Sequence, residues 1–148
     1  MGEAFALEMN EVMDFAIKIG VATVAGLIIG LEREYKGKSA GLKTNTLVAI
    51  GSAVFILISL KFRGEAYVDI TRVLSQVIIG IGFLGGGVIL QKHKEDSIKG
   101  LTTAATVWCS AGAGCLAAVG MFFELLVLTG LVIIINLLFG FIDSKINS

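Results

Sequence analysis

Residues Met121–Ile142 read MFFELLVLTGLVIIINLLFGFI. The run holds one charged residue, Glu124, near its start. A helix rises about 1.5 Å per residue, so roughly 20 apolar residues cross a hydrocarbon layer of about 30 Å. This run is long enough to span. Four further apolar segments precede it: Phe15–Leu31, Thr46–Leu60, Val73–Leu90 and Leu101–Val119. Of these, Thr46–Leu60 is short. To span, it must draw in Gly41-Leu42-Lys43-Thr44-Asn45, which puts Lys43 and Asn45 at the edge of the bilayer or inside it. The sequence therefore predicts an all-α, polytopic membrane helical bundle. A single transmembrane domain covers residues 1–148, with spans at about 15–33, 42–60, 73–91, 101–119 and 121–142.

Composition excludes the alternatives. The chain is 55% hydrophobic and 16% charged, against roughly 25% charged in an average globular domain. A soluble protein of 148 residues has too small a core to hide that much apolar surface. Net charge is zero, so no nucleic-acid footprint is implied. There is no phosphate-binding Gly-x-x-x-x-Gly-Lys loop and no His pair for zinc, and His93, the sole histidine, lies in a charged loop, so no Ser–His–Asp set is available inside the membrane. The expectation is a protein that is not an enzyme, with any metal ligands unknown. Cys109 and Cys115 lie in one segment. Helical spacing puts their Cα atoms about 9 Å apart, too far for a disulfide, so they read as packing residues.

Positive charge in short loops sets orientation. Arg33, Lys36, Lys38 and Lys43 follow the first segment, Lys92, Lys94 and Lys99 follow the third, and Lys145 follows the fifth. The opposite side carries Lys61, Arg63 and Arg72 against Glu65 and Asp69, together with the acidic N-terminus (Glu3, Glu8, Glu11, Asp14). The expected topology has the N-terminus outside and the C-terminus in the cytoplasm. The acidic start lacks the basic n-region of a cleaved signal peptide, so the first helix is expected to act as its own targeting signal.

The chain also repeats internally. Laid over itself so that Gly26 falls on Gly85, it matches Ile19 to Ile78, Leu31 to Leu90, and Gly41-Leu42 to Gly100-Leu101. Glu32 falls on Gln91, Arg33 on Lys92 and Asn45 on Ala104. Each unit is helix, basic loop, helix in the same direction, giving two parallel helix-loop-helix repeats plus one helix, a plan found among transporters.

Small residues mark helix-packing faces: Ala22, Gly26 and Gly30 on the first helix, Gly82, Gly85, Gly86 and Gly87 on the third, and Ser110, Gly114 and Ala118 on the fourth. Lipid supplies no hydrophobic drive between helices, so backbone contact at small residues takes its place. The Gly85-Gly86-Gly87 run admits two readings, tight packing or a local helix break. A five-helix unit leaves some glycine faces without an internal partner, so a homodimer is expected. Polar residues collect at the basic ends of the spans: Glu32, Arg33, Glu34, Lys43, Asn45, Gln91, Thr102 and Thr103, with Gln76 nearer the other end. Each is costly in hydrocarbon unless paired. They read as interhelical glue or as a ligand-binding polar cavity open to the cytoplasm. Asn136 reads as glue and Glu124 as an interfacial flank. Arg33 is expected to be held by a carboxylate or by carbonyls across the repeat interface, with Asn45 and Gln91 completing its network.

The order GLIIGLERE (Gly26–Glu34), GLKTNTLVAIGS (Gly41–Ser52), QVIIGIGFLGGGVI (Gln76–Ile89) and GLTTAATVWCSAGAG (Gly100–Gly114) resembles the MgtC/SapB family of bacterial inner-membrane proteins. Arg33, Asn45, Gln76 and Thr103 fall in the motifs that carry the resemblance. It implies an inner-membrane protein of magnesium homeostasis and low-magnesium adaptation, associated with virulence in pathogens. No resident cofactor is implied, and Mg2+ enters only as a ligand or substrate. Two roles stay open: a small Mg2+ transporter, or a non-transporting regulator that binds another membrane complex such as the ATP synthase. Many family members continue into a cytoplasmic domain, whereas this chain stops at Ser148.

Overall fold

The computed structural model describes residues 2–65, 69–90 and 100–146. Among them are five helices and no strand: α1 (Gly2–Tyr35), α2 (Leu42–Lys61), α3 (Ile70–Leu90), α4 (Leu101–Val119) and α5 (Phe122–Ile146). All five are long and apolar enough to cross a membrane. The chain is an all-α, multi-pass membrane bundle.

Local sequence accounts for the start of α3 and the end of α4. Asp69 precedes α3 and accepts hydrogen bonds from the Thr71 backbone N–H (3.0 Å) and hydroxyl (2.6 Å). That satisfies an otherwise unpaired N–H of the first turn. The same donors hold the Asp69 carboxyl below the usual carboxylate range. Gly120 ends α4 with φ +79°, and its N–H reaches Ala117 O while the N–H of Met121 reaches Leu116 O. A left-handed residue at this position favours glycine. No residue of α2's own N-terminus caps it with a side chain. Its first N–H, at Leu42, donates instead to Glu34 Oε2 at 3.0 Å, a cap supplied by the end of α1.

Two helices differ from the sequence reading. The first span was expected from about residue 15, yet α1 begins at Gly2 and runs 34 residues, about 50 Å at the helical rise. Its leading turns are rich in Glu, Met, Ala and Leu, all strong helix formers. Helix formation there is set by propensity, and a hydropathy argument misses it. Residues 4–17 are exposed throughout. In α3, Gly85-Gly86-Gly87 lies in unbroken helix, so the break reading is set aside.

Helix α4 touches each of the other four, and α1, α2 and α4 form the dense centre. The centre is made of small side chains: Ala22, Ala49, Ala53, Ala113, Ala117 and Ala118 are wholly buried. Three glycines let the backbones meet. A Cβ at Gly26 would lie 2.7 Å from Thr46 Cα, one at Gly30 would lie 2.6 Å from Leu42 Cα, and one at Gly114 would collide with the carbonyl oxygen of Ala49. The α1–α2 contact at Gly26 has a looser counterpart at the repeat-equivalent position, where a Cβ at Gly85 would sit 3.4 Å from Ala104 Cβ. Gly82, Gly86 and Gly87, expected as packing positions, face open space within this chain, and so does Gly80. Gly80 borders the cleft between α2 and α3.

This contrast predicts opposite signs for the same added methyl group. Gly26→Ala pushes backbone against backbone and should cost about 1–3 kcal/mol as an overpacked site. Gly86→Ala meets nothing and should stabilise by up to about 1 kcal/mol through helix propensity. Thermal unfolding in detergent reads both; equal shifts at the two positions would contradict the packing described.

Candidate functional site

Two polar networks lie at the basic end of the bundle, the end that carries Arg33 and Lys43, and both are anchored on α4. The first belongs to Asn45, whose side chain is fully buried. Its Nδ2 donates to Ala40 O and Gly41 O, each at 2.8 Å, closing the turn that starts α2. Its Oδ1 accepts from the Ser110 hydroxyl on α4 at 2.8 Å. The same hydroxyl lies 3.2 Å from Thr106 O, and the Thr106 hydroxyl donates to Thr102 O. Asn45 thus fixes the entry of α2 and ties it to α4, with both ends of its amide used.

The second network belongs to Arg33, only 3% exposed. Its guanidinium donates to the Thr103 hydroxyl, joining α1 of the first repeat to α4 of the second. Its Nε is buried without a hydrogen-bond acceptor among the described residues. The geometry differs from the expected single network: Arg33 is held across the repeat interface by a hydroxyl, and Asn45 pairs separately with Ser110. Gln91, expected to complete the set, lies outside the described residues.

The remaining predicted positions separate. Glu34 is exposed but used, as the cap of α2. Lys43 and Thr102 are exposed. Gln76 is exposed on the wall of an apolar cleft of about 560 Å³ between α2 and α3, alongside Ser52, Phe55 and Gly80. Glu32 turns away from Arg33's network toward α5, where its carboxylate faces the Lys36 ammonium at 2.8 Å. Lys36 also donates to the Asn136 carbonyl at 2.6 Å. The expected cytoplasmic polar cavity is therefore not assembled by Asn45 and Thr103, which spend their polar atoms on Ser110 of α4 and Arg33 of α1 respectively. The clefts of about 560 and 510 Å³ have apolar walls that hold none of Glu32, Arg33, Asn45 or Thr103. No group of three or more His, Cys, Asp or Glu residues is placed to hold a metal among the described residues. Cys109 and Cys115 are free thiols, partly buried beside apolar neighbours.

Sequence reasoning did not pair Asn45 with Ser110, and gave Lys36 no role beyond loop charge. The Ser110 pairing had a signal: a hydroxyl on the Ser110–Gly114–Ala118 stripe must face a helix, and Asn45 is the buried amide opposite. The Asn45–Ser110 bond yields a direct test. Asn45→Ala strips a buried hydroxyl and turn carbonyls of their partner and should cost about 1–3 kcal/mol. In a double-mutant cycle with Ser110→Ala, a coupling of about 1 kcal/mol is expected from unfolding midpoints. Additive effects would show that the two side chains do not meet.

Comparison with known proteins places this geometry. The MgtC family model matches residues 19–145. The chain is 40% identical over 141 residues to an uncharacterised Synechocystis protein, covering 95% of this chain and 57% of that one. It is 40% identical over 133 residues to Protein MgtC of Salmonella typhimurium, covering 90% and 55%. It is 43% identical over 117 residues to Protein MgtC of Brucella abortus, covering 79% and 48%. The chain spans about half the length of these curated relatives. No solved structure matches it. The matched region runs from the third residue before Ala22 to the end of α5, taking in both polar networks and all three close-contact glycines, and the chain belongs to the MgtC family.

Proposed function

We propose that this chain serves magnesium homeostasis at the bacterial inner membrane as a regulator that binds another membrane complex, and does not itself conduct ions. The family tie supports the magnesium role. The observation that carries the regulator reading is the sealed centre: α1, α2 and α4 meet through alanine and backbone, with Ala22, Ala49, Ala53 and Ala113 wholly buried. At the basic end of the same helices Asn45 is hydrogen-bonded to Ser110 and Arg33 to Thr103, so these polar side chains are spent on one another. Basic residues at one end (Arg33, Lys36, Lys38, Lys43) support an orientation with that end in the cytoplasm.

The outer face of α3 supports binding. Gly82, Gly86 and Gly87 have open space beyond them, and Phe83 beside them is 84% exposed. Exposed backbone in lipid lets a second helix approach closely. A second copy of the chain or a helix of the partner complex fits this face.

In proteoliposomes loaded with a Mg2+-sensitive dye, the purified chain should give no flux above protein-free vesicles. In cells lacking the protein, it should restore growth at low magnesium, and Gly82→Leu with Gly86→Leu should abolish that rescue without lowering the unfolding midpoint. Saturable Mg2+ flux, or full rescue by the leucine variant, would overturn the regulator reading.

A further inference from the structure

The ion pair between Glu32 and Lys36 has features that a structural clasp does not require. The Glu32 side chain is only 9% exposed. Its Oε1 lies 2.8 Å from the Lys36 ammonium, and its Oε2 has no hydrogen-bond donor among the described residues. Asn136 Nδ2 is likewise buried and unpaired. Side-chain amide nitrogen and oxygen are assigned by their surroundings, so the reversed amide would put an oxygen in that place. A buried carboxylate without donors is satisfied by a cation, and the nearest cation is Lys36.

The seat for that cation is built into α5. Lys36 Nζ lies 2.6 Å from the Asn136 carbonyl oxygen. A Cβ at Gly140 would stand 2.6 Å from Nζ, so the ammonium as placed lies close against the bare backbone of residue 140. Lys36 itself lies just past the last residue of α1, next to Gly37 at φ +60°. Its side chain is 25% exposed, against 9% for Glu32. The occupant is thus nearer water than the oxygens that hold it, and can leave by side-chain rotation alone.

We propose that Glu32 and the Asn136 carbonyl form a site for a small monovalent cation at the basic end of the α1–α5 seam, with the Lys36 ammonium as its tethered, exchangeable occupant. Charge sets the ligand class. One carboxylate balances one positive charge, so an alkali cation replaces the ammonium without leaving net charge in the seam. A divalent cation would leave an excess positive charge beside Arg33, the next residue in the chain. Hard oxygen donors, a carboxylate and a carbonyl, suit Na+ or K+. The site is independent of the docking face on α3.

Exchange is read on the full chain by acylation of the Lys36 amine with a water-soluble N-hydroxysuccinimide ester, followed by mass spectrometry. An ammonium pinned between two oxygens has no lone pair to offer the reagent. In NaCl or KCl the Lys36 labelling rate should rise several-fold and saturate, relative to N-methyl-D-glucamine chloride at equal ionic strength. Glu32→Gln should label rapidly in every salt. A second readout uses Lys36→Met, which empties the seat: its unfolding midpoint should rise saturably with Na+ or K+, and adding Glu32→Gln should remove that dependence. Identical Lys36 labelling in all salts, enhancement by Mg2+ alone, or a Lys36→Met midpoint indifferent to alkali cations would each overturn the proposal.

Discussion

The structure depends on direct backbone contact between helices in a solvent that gives helices no hydrophobic reason to associate. In lipid, attraction between α1, α2 and α4 comes from dispersion at short range and from hydrogen bonds. Gly26, Gly30 and Gly114 permit that range, since a Cβ at any of them would strike backbone of the facing helix. Alanines at 22, 49, 53, 113 and 117 fill what remains, leaving no room for a larger group. The centre is therefore closely packed, and the peripheral helices α3 and α5 pack around it with most of their surface facing outward.

The polar networks follow from that closeness. Once α2 and α4 are pressed together, Asn45 and Ser110 are sealed from water and must satisfy each other. Arg33 is drawn under the same lid, and Thr103 is the acceptor α4 offers. Because Asn45 also holds the carbonyls of Ala40 and Gly41, the loop after α1 and the start of α2 move as one piece with α4. Glu34 adds to this by capping α2 from α1. The end of the bundle richest in charge is thus also the end most firmly cross-linked, while Lys36 and Glu32 form a separate attachment to α5.

Much of this was legible in the residues. Five apolar runs gave five helices, and the Ala22–Gly26–Gly30 stripe was identifiable because small residues at helical spacing have one evident use in lipid. Arg33 and Asn45 stood out since each is expensive at membrane depth. What the residues did not disclose has physical causes. Hydropathy marks where a helix enters the membrane but says nothing of where helix itself begins, so the start of α1 at Gly2 went unread. A run of three glycines looks fragile in isolation, yet α3 carries it intact. Which polar groups meet depends on helix rotation about the bundle axis, and a slight turn separates one shared cavity from the two distinct networks observed. The Lys36–Asn136 contact joins residues far apart in sequence, and nothing in either neighbourhood points to the other.

The central claim is that the α1–α2–α4 contact is closed to water from both sides. Single cysteines at Ala22, Ala49, Ala53 and Ala113, in a background with Cys109 and Cys115 replaced by serine, can be probed with a membrane-impermeant thiol reagent in vesicles, from each side in turn. The account predicts no labelling at any of the four positions from either side, alongside full labelling of a control cysteine at Lys38. Labelling at two or more of the four from one side, in a folded variant, would reveal an aqueous path through the centre and contradict it.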